Sequence, residues 1–273
     1  AIINLYGSTE IILNGSGNYG IWAGKNGSIT ANDLKIISNK DDSYGVVSNN
    51  NNIIYGLLDT NKNLQESNGI ILNGNYNEII MNGENSKAIY ADSQYGVVKS
   101  GEGGMGYIDI IGDIVAEDGG TINLDITRSK QNWLQGDIIA FGTQSSKNAS
   151  VNLTTNAALA YQGDALAANG GVVDVKLGNR SSWAGRADDY QDATNSEWLK
   201  NHTDNLDTKF SGRVTGNGTV KIDMGTESTW NVTGQSWVTG LKGNNSYIIL
   251  DNDENGNGYA LHLEKLPGLI LLQ

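Results

Sequence analysis

Gly136-Asp137-Ile138-Ile139, Ser150-Val151-Asn152-Leu153, Ala158 to Tyr161, Gly163-Asp164-Ala165-Leu166 and Gly171-Val172-Val173-Asp174-Val175 follow one another in a single stretch, residues 136–175. Each phrase is a turn residue followed by a short run of alternating or paired apolar positions. That is the pattern of a short strand with a buried face. The second Gly-Asp phrase restarts the first, so the stretch reads as one repeat and the beginning of the next.

The same phrases recur on either side. Tyr19-Gly20-Ile21-Trp22, Tyr44-Gly45-Val46-Val47, Asn68-Gly69-Ile70-Ile71 and Tyr95-Gly96-Val97-Val98 place their glycines at steps of 25, 24 and 27. A second phrase follows as Gly27-Ser28-Ile29, Asn77-Glu78-Ile79-Ile80, Gly120-Thr121-Ile122-Asn123-Leu124 and Gly218-Thr219-Val220-Lys221-Ile222. A third carries Leu34 to Ile37, Tyr55 to Leu58, Ser182-Trp183-Ala184-Gly185 and Thr229-Trp230-Asn231-Val232. Repeats of about 25 residues with three short strands cannot bury their apolar faces alone, but stacked on one another they form a continuous internal column. The expected fold is all-β, a right-handed parallel β-helix with a C-terminal cap. Dividing the length by the repeat gives roughly 11 coils, and at about 4.8 Å per coil a rod on the order of 50 Å long.

Composition agrees. The 273 residues contain 36 Gly, 35 Asn, one Pro and no Cys, a chain rich in residues that tolerate tight turns and positive φ. Stacked Asn amides on successive coils can form hydrogen-bonded ladders, so the Asn bias reads as structural. Apolar residues at 38% are sufficient for a core. The net charge of −12 argues against an extended phosphate-tracking surface and therefore against nucleic acid as a partner. The absence of Cys removes disulfides, thiolate metal sites and a cysteine nucleophile. No stretch approaches 18 apolar residues and no basic-then-apolar leader opens the chain, so neither a membrane span nor a signal peptide is read in it.

Two polar stretches break the period. Residues 60–67 read as a longer turn, and 187–211 as an insertion loop without β alternation. The expected organisation is β-helix repeats over 1–212, with that insertion, followed by C-terminal coils and cap over 213–273.

From Gly163 onward the phrases become more specific. Ala165 to Val175, Ser182-Trp183-Ala184-Gly185, Gly216 to Ile222, and Ser228-Thr229-Trp230-Asn231-Val232-Thr233-Gly234-Gln235-Ser236-Trp237-Val238, followed by Gly243 and Tyr247 to Leu250, resemble the C-terminal part of a pertactin-like autotransporter passenger domain. The N-terminal half is similar only through its β-helix repeat, which polysaccharide lyases share. The resemblance implies an adhesin or colonisation factor at the outer membrane and cell surface of a diderm bacterium, or secreted. Export would pass through a barrel outside this chain, and residues 213–265 occupy the place of the family's autochaperone region. The chain lacks an Arg-Gly-Asp tripeptide, a Pro-rich loop and a serine-protease motif, so no receptor carries over.

Chemistry-bearing residues are sparse. Asp188-Asp189 and Asp41-Asp42 are acidic pairs, either of which could supply the two carboxylates of a glycosidase if a partner lay at the required separation, and solvated acids on a loop are the plain alternative. The two histidines, His202 and His262, assemble no Ser, His and acid constellation. Gly101 to Gly106 lacks the Gly-Lys-Ser/Thr ending of a phosphate loop and reads as a turn. Trp183, Trp230 and Trp237 are expected in the core or cap, while Trp22 and Trp133 stay open between core and surface. Tyr190 and Trp198 are the aromatics expected to be exposed. Ligand-binding residues are therefore placed on the insertion: Asp188, Asp189, Tyr190, Trp198, Lys200 and His202. No catalytic residue, metal site or cofactor is read. The expected partners are a host or bacterial glycan, a matrix protein, or another copy of the rod on a neighbouring cell. The competing expectation is a lyase or hydrolase of acidic polysaccharide on the same fold.

Overall fold

The computed structural model describes residues 1–24, 27–49, 69–93, 96–127, 131–142, 148–190 and 214–263. Among these residues every strand pairs in parallel with the strand three places later in the chain, giving three sheets of nine strands. The chain is a parallel β-helix. The first sheet stacks Ile2–Leu5, Ser28–Asn32, Ile70–Asn73, Val97–Ser100, Thr121–Ile126, Ser150–Thr155, Val172–Leu177, Thr219–Met224 and Gly240–Gly243. The second stacks Thr9–Leu13, Leu34–Ser38, Tyr76–Met81, Tyr107–Ile111, Asn132–Gln135, Leu159–Gln162, Ser182–Gly185, Thr229–Val232 and Tyr247–Leu250. The third runs from Tyr19–Ala23 through Tyr44–Asn49, Lys87–Asp92, Asp113–Glu117, Ile138–Phe141, Ala165–Ala168, Ala187–Asp188 and Ser236–Val238 to Leu261–Leu263.

Alternation sends every second side chain inward, and parallel register stacks like on like. In the second sheet the inward row reads Ile11, Ile36, Ile79, Ile110, Leu134, Tyr161, Trp183 and Trp230, and ends in register on Ile248, which is exposed in the last coil. Each buried aliphatic side chain contributes roughly 1.5–3 kcal/mol of transfer free energy. The aromatic part of the row stacks nearly flat: Trp183 and Trp230 lie 4.4 Å apart at 3°, and Tyr161 and Trp183 5.3 Å apart at 15°. Both indole N–H groups are satisfied inside the column, Trp183 donating to the Gly163 carbonyl at 2.8 Å and Trp230 to the Gly185 carbonyl at 3.0 Å. Trp183 and Trp230 are thus core residues as expected. Trp237 is half-buried and stacks on His262 at 4.8 Å.

Among the described residues Asn amides pair between coils at two places. Asn82 donates to Asn39, and Asn152 to Asn123, each amide to amide at 2.7 Å. The Gly-Asp phrase forms the corner between the second and third sheets. Gly136 (φ 143) and Gly163 (φ 148) stand where a Cβ would run into the carbonyl of the coil before, at Gly112 and Gly136 respectively. Only glycine fits there.

The described coils number nine, against the roughly 11 expected from the repeat length. In the first sheet, Ile3↔Ile29 are 26 residues apart and Val98↔Ile122 are 24, but Ile29↔Ile70 are 41 and Val173↔Val220 are 47. The division by 25 counted the residues of those two long steps as further coils. The stretch 60–67 and Tyr55 to Leu58 lie outside the described residues. The three sheets continue past position 213, so residues 214–263 add two coils to the same stack.

Candidate functional site

Asp188, Asp189 and Tyr190 begin where the insertion was expected, and they are not loop residues in the sense anticipated. Ala187–Asp188 is a strand of the third sheet, registered with Ala165–Leu166 on one side, and Asp188 with Trp237 on the other. Asp188 and Asp189 are 1% and 0% exposed, so they are not solvated acids. Tyr190, expected at the surface, is 1% exposed. The reason is the outward row of the third sheet, which is apolar in the middle of the rod. Tyr190 and Val214 pack there against Val115, Ile139, Phe141, Leu166 and Ala168.

A corner ladder leads into this cluster. The Asp113 carboxylate accepts the Asp137 N–H, Asp137 accepts that of Asp164, and Asp164 accepts that of Arg186, each at 2.9 Å. Arg186 takes the place of the next Asp and closes the series. Its Nε donates to Asp164 at 2.9 Å, and its Nη1 lies 3.4 Å from Asp188. The second Asp188 oxygen accepts the Tyr190 N–H at 2.8 Å, and the Thr239 hydroxyl donates to Asp189 at 2.8 Å. Burial pushes the Asp188 carboxyl up to about 7, although Arg186 and the Tyr190 N–H pull it down. Burial also raises Asp164, opposed by the same guanidinium.

This arrangement leaves the acidic pair poorly suited to glycoside hydrolysis. Adjacent residues of an extended chain point to opposite sides, and each carboxylate is already engaged within the wall. Trp198, Lys200 and His202 lie outside the described residues, so the six nominated positions are not seen as one assembly. An open depression of about 450 Å³ is lined by Ala157, Ala158, Asn179, Arg180, Thr226 and Glu227. Its single carboxylate and single cation are bonded to each other at 2.8 Å, so it does not bring two carboxylates together. Among the described residues no group of three or more His, Cys, Asp or Glu could hold a metal ion.

The outward face of the second sheet was not nominated from sequence. Asp109, Trp133 and Ala160 form one of its rows, and Ile111, Gln135 and Gln162 the next. Trp133 is 37% exposed, which answers the question the sequence left open. The available signal was the alternation of Asn132-Trp133-Leu134-Gln135: Asn132 and Leu134 are buried, Trp133 and Gln135 exposed. No protein family, curated protein or solved structure matches this chain.

Proposed function

We propose that this chain is a non-enzymatic adhesive rod, the passenger part of a pertactin-like autotransporter, displayed at the surface of a diderm bacterium or released from it. Its partner would be a glycan, a matrix protein or another cell. The observation that carries this reading is the division of labour among the polar residues. The carboxylates that suggested catalysis are buried in a wall-building cluster, while the outward face of the second sheet presents Trp133, Gln135 and Gln162 on adjacent coils. Repetition at a fixed spacing suits multivalent attachment, where many weak contacts add through avidity. The Ser228 to Val238 stretch that carries the family resemblance builds one of the last coils, with Trp230 at its centre.

The test is binding of the purified chain to glycans, matrix proteins and cells, with reducing-end and unsaturated-product assays on every glycan bound. Attachment or cell aggregation without turnover is the expected result. Release of product from any bound polysaccharide overturns the non-enzymatic reading in favour of a β-helix lyase or hydrolase.

A further inference from the structure

The three faces of the rod offer different surfaces. Among the described residues the strands of the first sheet carry no aromatic side chain; Asn123 bonds to Asn152, and Asp174 is registered opposite Lys221. In the third sheet the outward row runs through Val47, Tyr90, Val115, Ile139, Leu166 and Asp188, all buried except the half-buried Tyr90. Trp22, at the start of that row, is 60% exposed, but its row neighbour is Val47 and its strand neighbours are Gly20 and Gly24. Its ring contact is with Tyr19 at 5.8 Å, and its row partner Val47 offers no polar group.

On the second sheet an exposed indole and polar side chains coincide. Three successive coils contribute Asp109 and Ile111, then Trp133 and Gln135, then Ala160 and Gln162. Coil spacing and strand rise make this grid about 10 Å by 7 Å, the footprint of one or two pyranose rings. The position after Trp133 in its row is Ala160, a small side chain that is itself buried. The side chains of Asp109, Gln135 and Gln162 have no hydrogen-bond partner among the described residues. Glutamine amides both donate and accept, as sugar hydroxyls do, and a carboxylate accepts. An indole face packs against the C–H face of a pyranose, and such amphipathic aromatics are favoured contact residues at binding surfaces.

Charge narrows the ligand further. Asp109 is registered beside Glu78, whose ion-pair partner among the described residues, Lys35, is shared between Glu10 at 3.3 Å and Glu78 at 3.8 Å. Burial and then Glu78 raise the Asp109 carboxyl above its ordinary value. A uronate or sulfate brought here meets two carboxylates on a molecule of net charge −12.

We propose that the Trp133 face is a binding site for glycans built of neutral or amine-bearing sugars. The indole carries one ring, Gln135, Gln162 and Asp109 bond its hydroxyls, and the Glu78–Asp109 pair excludes acidic sugars. This rests on the adhesive reading and narrows it to one face and one ligand class.

The test uses the intact chain on an array of neutral, amino, uronic and sulfated oligosaccharides, followed by titration with the strongest neutral or amino binder. Trp133→Ala and the double variant Gln135→Ala/Gln162→Ala should each weaken binding at least tenfold with thermal unfolding unchanged. Asp109→Asn should reduce the preference for amino over neutral sugars and relax the exclusion of acidic ones. Thr30→Ala, on the first sheet, should change nothing. Selective binding of acidic glycans, or binding unaltered in both Trp133→Ala and the double variant, overturns the site while leaving an adhesive rod that binds elsewhere. Failure to bind any glycan also overturns the site, and the matrix and cell assays then decide the adhesive reading independently.

Discussion

Asp188 is an ionisable group in a position that a leucine occupies one coil earlier, since Leu166 precedes it in the outward row. Its carboxyl titrates near 7 in the folded chain against an ordinary value of 3.8, chiefly through burial. The folded state therefore holds this proton more tightly than the unfolded state. Its contribution to stability is fully present below about pH 4 and is lost as pH rises through about 7. Denaturant unfolding between pH 5 and 8 should show stability falling with rising pH, and Asp188→Asn should flatten that slope. An unchanged slope in the variant would assign it to other groups. At this scale the sequence was informative about residue type and silent about environment. Asp188-Asp189 was recognisable as an acidic pair with Arg186 two residues before it, but Asp164, which shares that guanidinium, and Thr239 are brought in only through coil register. Trp183 and Trp230 were legible because each sits in a strand phrase whose alternation points it inward.

The corner element shows how one dipeptide can serve repeated coils. Glycine lets the chain pass beneath the carbonyl of the coil before, and the following Asp accepts a backbone N–H from the coil after. Gly163→Ala would combine a disfavoured φ of 148° with a clash against the Gly136 carbonyl. A loss of about 1–3 kcal/mol in chemical unfolding is expected from strain of this kind. Gly216→Ala is the matched control, because a Cβ there meets nothing within 4 Å and φ is not positive. Its effect should stay within about 0.5 kcal/mol, and equal losses in the two variants would contradict the corner argument. The repetition of Gly-Asp was plain in the sequence, since turn chemistry is local. Its replacement by Gly185-Arg186 in the next coil was not read as the same element, because the ladder is defined by register and not by residue identity.

At the scale of the whole molecule, a solenoid is held by contacts between adjacent coils, so its stability varies along the axis. The period made the three-sheet stack legible, whereas the two long steps of 41 and 47 residues could not be distinguished from further coils by dividing the length. Stabilising features are unevenly distributed. The Tyr161–Trp183–Trp230 stack, its two buried indole hydrogen bonds and the Arg186 closure all fall between Leu159 and Val238. In the first coil, by contrast, Ile2 and Ile3 are 77% and 49% exposed. Amide hydrogen exchange should therefore be slowest in Leu159–Gln162, Ser182–Gly185 and Thr229–Val232, and fastest in Ile2–Leu5 and Thr9–Leu13. Trp183→Leu should speed exchange in both neighbouring strands, Leu159–Gln162 and Thr229–Val232, while leaving Leu34–Ser38 unchanged, because nearest-neighbour coupling decays along the stack. Uniform protection along the rod, or an effect of Trp183→Leu that reaches the first coils undiminished, would mean that the β-helix unfolds as one cooperative block and that the aromatic coils have no special part in holding it.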